Sequence, residues 1–278
     1  MLDHWIPVDD PDDARLDIFQ GLRDHILRQE RELPDGDMAG VFISEGDVVV
    51  ERALSAGYEL VSILVDAKRS RPLPAAVDET VPIYAAGPDV LIRITGYHLH
   101  RGALACFKRR PVPSPLEVLT NLDPRTVVVL ENINNPTNMG VILRCAAGLG
   151  VDAFFCDPTC SDPLYRRAGR VSMGEAYALP YARLDAFPEG LGVLRDHGFH
   201  LLALTPGADA VALEELRFGQ QDRLAILLGA EGPGLSGSVL ESVDQRVRIP
   251  MSGAVDSINV GSAAAVAFYG IQQSRRPG

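Results

Sequence analysis

The sequence predicts an α/β protein, with a mostly parallel sheet in its second half and a small α/β unit before it. Three observations carry that expectation. Apolar runs of strand length alternate with helical periodicities after residue 122, the pattern of strands joined by crossover helices. Three prolines in five residues, Pro111, Pro113 and Pro115, make a stiff extended segment between the halves. Apolar residues make up 46% of the chain and charged residues 23%, enough apolar side chain to bury cores and to exclude disorder as the dominant state.

In order along the chain, Asp12 to Glu32 reads as an amphipathic helix, with Leu16, Phe19, Leu22 and Ile26 at helical spacing. Val41–Ser44 is strand-like. Asp47–Ala56 is a short helix closed by Gly57. Leu60–Asp66, Val81–Ala85 and Ala103–Lys108 are further strands. The expected domains are therefore residues 1–110, a proline-rich linker over 111–121, and residues 122–278. In the last of these the strands are Thr126–Leu130, Ala153–Cys156, His200–Thr205, Leu224–Leu228 and Arg246–Ile249. They are apolar on both faces, as strands covered by helices on both sides should be. A final helix runs from about Val260 to Ser274.

No apolar run is long enough to span a bilayer, and the first residues lack the basic start and apolar stretch of a signal peptide; a cytoplasmic location is expected. The net charge of −11 argues at first against a nucleic-acid partner. Its distribution reverses that reading: residues 1–60 hold 15 acids and 5 bases, residues 61–278 hold 22 acids and 21 bases. From Arg93 to Arg110 there is no acid, while Arg101, Lys108, Arg109 and Arg110 are present, and a local basic surface can bind phosphates even on an acidic protein. The four cysteines form no C-x-x-C pair, and no metal site is expected. Cys106 and Cys145 lie in apolar runs and read as reduced core residues.

Three segments of the second half are chemically unusual. In the first, a buried strand leads to Glu131-Asn-Ile-Asn-Asn-Pro-Thr-Asn138-Met-Gly140, with a helix expected to start at Asn138 as its N-cap. Gly140, Arg144 and Gly148 are spaced by four and share a helix face, which suggests close packing of a ligand, a nucleic-acid backbone or a second subunit. The second segment, Gly229-Ala-Glu231-Gly232-Pro-Gly234, follows a strand directly. It lacks the Gly-Lys-Ser/Thr of a phosphate loop and fits no dinucleotide fingerprint. The third, Ile249-Pro-Met251 through Ser257-Ile-Asn259-Val-Gly261, is a polar loop entering a helix whose first turns carry little side-chain bulk.

In this order the three segments resemble the three motifs of the SpoU (TrmH-type) RNA methyltransferases of the SPOUT superfamily, over roughly residues 122–275. The matching residues are Asn138-x-Gly140-x-x-x-Arg144, then Leu228-Gly229-Ala-Glu231-Gly232, then Ile249-Pro-Met251 leading to Ser257-Ile-Asn259-Val. Where many members read Asn-Val-Ser, this chain reads Asn259-Val-Gly261. The stretch around 41–110, with Ser44-Glu45-Gly46 and Gly102-Ala-Leu-Ala, is similar to the RNA-substrate-binding domain that often precedes the motifs.

The resemblance implies a SPOUT α/β-knot, its C-terminal part tied in a deep trefoil, working as a homodimer with no membrane or metal partner. It implies S-adenosylmethionine as cofactor, contacted by Thr205, Gly229, Ile249, Met251 and Ile258. It implies methyl transfer to a ribose 2′-hydroxyl of RNA, rRNA as the first expectation and tRNA as the second, with Arg144, Asn138, Glu231, Ser257 and Asn259 in the catalytic site. A SPOUT enzyme acting on a base nitrogen and a non-catalytic RNA-binding protein are the alternatives. The RNA-facing surface is expected to use Arg101, Lys108 and Arg109 together with Arg166, Arg167 and Arg170.

Overall fold

The computed structural model describes residues 5–22, 26–33, 35–97, 102–253 and 255–275, arranged as two compact units. The first unit comprises residues 1–111 and 164–178; the second comprises 112–163 and 179–278.

The first unit is a five-stranded mixed sheet: β1 (Trp5–Val8), β2 (Val41–Glu45), β3 (Leu60–Asp66), β4 (Ile83–Ala86) and β5 (Leu104–Lys108), in the order β1-β4-β3-β5-β2. Helices α1 (Asp47–Ser55) and α2 (Pro88–Thr95) follow β2 and β4. Alternating side chains of the strands feed two cores. Ile43, Leu64, Leu104 and Cys106 enter one, and Phe42, Ile63, Val65 and Phe107 enter the other. The second core also takes Leu164 and Tyr177 from the returning segment, with the Tyr177 ring 5.2 Å from that of Phe42.

The expected helix over 12–32 does not form as one element. Ala14–Phe19 is a 3-10 helix capped by Asp13, and the chain turns at Gln20 and Gly21, where φ is +60°. Leu27–Arg31 then winds as a π-helix. Arg31 braces the break: its guanidinium reaches back across the turn and donates to the carbonyls of Asp17 and Gln20. Leu16, Phe19, Leu22 and Leu27 are buried all the same, while Ile26 is only half-buried, so most of the apolar spacing is satisfied by a 3-10 helix, a turn and a π-helix rather than by one α-helix.

The proline-rich segment is extended only to Ser114. From Pro115 it becomes α3 (Pro115–Leu122), where Ser114 and Glu117 form a reciprocal capping box and proline occupies the first turn. Most of the expected linker is thus a helix of the second unit.

The second unit is a seven-stranded sheet whose pairings are all parallel. Its strands are β6 (Thr126–Leu130), β7 (Ala153–Cys156), β8 (Tyr181–Arg183), β9 (Phe199–Leu204), β10 (Val211–Ala212), β11 (Arg223–Leu228) and β12 (Gln245–Arg248), in the order β10-β12-β9-β11-β6-β7-β8. The chain therefore steps outward from β6 to β8, crosses to β9, and later inserts β11 and β12 beside strands already laid down. Helices lie on both faces. Val118 and Leu119 of α3 join Val127, Phe155, Leu201 and Leu227 in one core. On the other face Ala267 and Ile271 of the C-terminal helix meet Leu202, Leu204 and Ile226. Burial pushes the Cys106 and Cys156 thiols up to about 12. Cys145, expected in a core, is only half-buried.

Candidate cofactor pocket and its side-chain network

A pocket of about 460 Å³ opens where three adjacent strands, β12, β9 and β11, end. The carboxyl ends of parallel strands are the usual ligand position in open α/β sheets, and this volume suits a small organic ligand. Each wall is a loop that continues a strand: Thr205 and Pro206 after β9, residues 229–235 after β11, and Ile249, Met251 and residues 256–259 after β12.

Gly229 explains why the second wall begins with glycine. A Cβ there would lie 2.2 Å from the carbonyl carbon of Gly234 and 2.3 Å from the Leu235 nitrogen. The loop folds back onto its own start, closed by the Gly234 N–H donating to the Ala230 carbonyl at 3.0 Å. Glu131, at the end of β6, ties down the far side: its Oε2 accepts the Ser236 N–H at 2.8 Å, just before α7 (Gly237–Ser242; α4 is Pro136–Gly148, α5 Arg166–Val171 and α6 Gly192–Asp196). Nothing in the sequence reading singled out Glu131 for this role; its place at the strand end, before the polar turn, was the available signal.

Three side chains from three distant segments meet beside the pocket. The Asn138 amide donates to Glu231 Oε2 at 3.0 Å. The Asn259 amide donates to Asn138 Oδ1 at 3.1 Å and to Glu231 Oε1 at 3.3 Å. Both oxygens of one carboxylate are thereby engaged, and Asn138 is buried. Asn259 also caps α8 (Val260–Ser274), its Oδ1 accepting the Gly261 N–H at 2.9 Å. Helix α4 begins earlier than expected: Asn135, not Asn138, is its N-cap, accepting the Thr137 N–H at 2.8 Å. Asn138 lies inside the first turn, which frees its amide for Glu231.

Helices α4 and α8 pack on each other, and Gly261 marks the crossing: a Cβ there would sit 2.6 Å from Val141 Cγ1. Glycine at this position fits the contact, which leaves no room for a Cβ.

Thr205, Gly229, Ile249, Met251 and Ile258 all line the pocket, as do Glu231, Ser257 and Asn259. Asp256, which the sequence reading did not select, lines it too. Arg144 does not. It is exposed on α4 and makes no side-chain hydrogen bond or ion pair with any described residue. Around Gly148 there is open space rather than a close neighbour.

The basic residues of the first unit need correction. Arg109 and Arg166 are not surface groups. Arg109 donates from Nε to the Val41 carbonyl at 2.8 Å and lies 3.7 Å from buried Glu32. Arg166 is buried, paired with Glu45, and stacked over the Tyr97 ring at 4.8 Å. Buried cations require such partners, and here the partners come from distant parts of the chain. Lys108 is exposed but pairs with Glu59 at 2.5 Å. Arg167 is exposed, and Arg101 lies outside the described residues.

Fold and pocket together define an α/β domain that holds a small cofactor at the carboxyl ends of its strands. A sequence profile described as the SpoU rRNA Methylase family matches residues 125–269. An uncharacterized tRNA/rRNA methyltransferase of Mycobacterium bovis is 45% identical over 264 residues, covering 94% of this chain and 90% of its own length. The chain belongs to the SpoU family of RNA methyltransferases, which use S-adenosylmethionine. Among solved structures, the AdoMet-bound rRNA methyltransferase from Sinorhizobium meliloti is similar in fold, with a TM-score of 0.78 at 21% identity over 97% of this chain and 98% of that one. An RNA 2′-O ribose methyltransferase has a TM-score of 0.74 at 26% identity, over 97% of this chain and 99% of that one.

The pocket suits that cofactor chemically. Its described lining contains no lysine or arginine, whereas Glu231 and Asp256 are present, a match for a cationic sulfonium carrying no phosphate. Leu204, Leu228, Leu240 and Ile249 supply apolar surface for a purine ring.

Proposed function

We propose that this chain transfers the methyl group of S-adenosylmethionine to a ribose 2′-hydroxyl of RNA, ribosomal rather than transfer RNA. The observation that carries the reading is the Asn138–Glu231–Asn259 network beside a pocket without a basic wall. The likeness to a 2′-O ribose methyltransferase at 26% identity supports ribose as the acceptor, and the family description supports rRNA.

When bound, S-adenosylmethionine supplies an activated methyl group; the chain's task is alignment, which in good cases accounts for about 7–11 kcal/mol of barrier lowering. The network fixes the loop over 229–235 against α4 and α8. Ser257 and Asn259 orient the nucleotide or the loop beside the methyl donor. A guanidinium is a poor base as a residue type, so the role of Arg144 is to grip the phosphate next to the target ribose in two-pronged fashion and to stabilise negative charge growing on the 2′-oxygen as the hydroxyl proton passes to water. Asn138 and Glu231 orient the elements that present it.

Two further features belong to the same reading. The C-terminal part of the second unit is a deep trefoil knot, supported by the late insertion of β11 and β12 into the sheet. The working form is a homodimer. Ala147, Gly148, Val266 and Tyr269 make an exposed, largely apolar surface on α4 and α8, suited to a second copy that would bring Arg144 to a partner's pocket.

The test is methylation of RNA with isotope-labelled methyl donor, followed by digestion to nucleosides and mass spectrometry. A 2′-O-methyl nucleoside is expected. A base-methylated nucleoside would overturn the ribose assignment, and cofactor binding with no incorporation into any RNA fraction would point to a binding protein.

A further inference from the structure

Outside the pocket, an unassigned cationic surface lies in the first unit, at the carboxyl ends of β2 and β3. The loop after β3 reads Lys68-Arg69-Ser70-Arg71-Pro72, and its three cations have different fates. Arg69 is the pin. Its guanidinium donates to the two carboxylate oxygens of Asp47 at 2.9 and 3.0 Å, and to the carbonyls of Arg71 and Pro72 at 2.8 Å each. Its side chain is only 6% exposed. Asp47 Oδ1 also accepts the Ala103 N–H at 3.1 Å, and Asp66 Oδ1 accepts the Lys68 N–H at 2.8 Å. The loop is thus bent around Arg69 and fastened to α1 and to the start of β5.

That fastening leaves Lys68 and Arg71 exposed, with no side-chain hydrogen bond or ion pair to any described residue. Asp47 and Glu45 are already matched by cations, and Asp66 is engaged by the backbone N–H of Lys68. Asp47 is held by Arg69, and Glu45 at the end of β2 is shared by Arg166 and by Arg170, whose side chain is 61% exposed. Two arginines on one carboxylate leave positive charge over at this edge. Lys108 and Arg109, by contrast, each face a glutamate.

We propose that Lys68 and Arg71, supported by Arg170, contact RNA phosphates, and that this loop is the electrostatic footing for substrate RNA on the first unit. The inference rests on the RNA-methyltransferase reading above. A loop held rigid by its own buried arginine loses little conformational entropy on binding, and the free guanidinium of Arg71 can take a phosphate in two-pronged fashion.

The experiment uses the full chain and a fluorescently labelled RNA hairpin, with affinity measured by anisotropy across about 50–200 mM salt. The Lys68→Ala/Arg71→Ala double variant should bind more weakly. Its slope of log affinity against log salt should be smaller by about 1.4–1.8, two contacts at roughly 0.7–0.9 each. S-adenosylmethionine affinity by calorimetry should be unchanged, which verifies the second unit, and the circular dichroism spectrum and urea-unfolding midpoint should match wild type, which verifies the first. Lys108→Ala should keep the wild-type slope. A double variant with wild-type slope and affinity would overturn the assignment, as would polyglutamate competing as well as RNA, which would assign the loop to an acidic protein. Wild-type protein that binds cofactor but no RNA would overturn the methyltransferase reading itself, and this inference with it.

Discussion

Gly229→Ala offers a sharp test of how the pocket is built. The added Cβ would meet three backbone atoms of Gly234 and Leu235 at 2.2, 2.3 and 2.4 Å. Ordinary contact begins near 3.4 Å, so the loop over 230–235 must move by more than 1 Å. No flexible side chain can absorb that shift, because the obstacles are backbone. Overpacking of this kind costs about 1–3 kcal/mol. If the whole cost falls on the loop that walls the pocket, S-adenosylmethionine binds about 5- to 150-fold more weakly, at about 1.4 kcal/mol per tenfold. The displacement would also pull Ser236 away from Glu131 and Glu231 away from Asn138 and Asn259. Titration calorimetry measures the affinity, and urea unfolding shows whether the rest of the unit is intact. Gly237→Ala is the control, since a Cβ there meets nothing within 4 Å. Cofactor affinity within twofold of wild type in Gly229→Ala would refute the argument that the folded-back loop shapes the pocket.

Arg144→Ala should abolish methyl transfer while leaving cofactor affinity within a few-fold, because Arg144 is not on the pocket wall; Arg144→Lys should also be poor, since an ammonium cannot reproduce the planar grip. Near-normal turnover of either would remove Arg144 from the mechanism. Gly261→Ala should destabilise the fold by about 1–3 kcal/mol through its clash with Val141, and the same change in a Val141→Ala background should cost far less; equal cost in both backgrounds in denaturant unfolding would mean that the helix crossing is not the cause. The Glu117 carboxyl is held below its usual range by the N–H and hydroxyl of Ser114. The stability it contributes is present above the ordinary carboxylate value of about 4.3 and is lost as pH falls through the lowered one. Glu117→Gln should lose that contribution at neutral pH, and its unfolding midpoint should approach wild type as pH falls; a gap that stays constant with pH would refute the assignment.

The second unit was the more legible half of the chain, for a physical reason. Its strands are buried on both faces, so continuous apolar runs such as Thr126–Leu130 and Leu224–Leu228 mark them with nearly correct ends. In the first unit β1 was invisible. It is a four-residue edge strand containing Pro7, which an edge tolerates and a pattern reading discards. The 12–32 segment shows the converse error: most apolar residues at helical spacing are buried, but the chain leaves the helical conformation at Gln20 and Gly21, and Arg31 of the same segment braces the turn through the carbonyls of Asp17 and Gln20. Within the candidate site, the motif residues were legible by type and order. Their mutual geometry was not, because Asn138, Glu231 and Asn259 meet only once the sheet places their loops side by side. The partners of Arg109 and Arg166 were hidden in the same way, and so was Arg69, whose loop looks in sequence like any solvated basic turn.

The excursion of residues 164–178 into the first unit has a consequence for any attempt to divide the protein. The backbone passes between the units three times: after Pro111, after Pro163 and again after Ala178. Cutting at the prolines would therefore not yield two self-sufficient pieces. A C-terminal fragment would carry Leu164 and Tyr177 away from Phe42 and Tyr58, leaving a greasy stretch in the middle of its chain with nothing to cover it. The N-terminal piece would lose a plug from its core. Swapping the first unit between relatives, to graft one recognition surface onto another transfer domain, would succeed only if the 164–178 segment travelled with it. In evolutionary terms the two units are stitched rather than strung, and they are expected to change together.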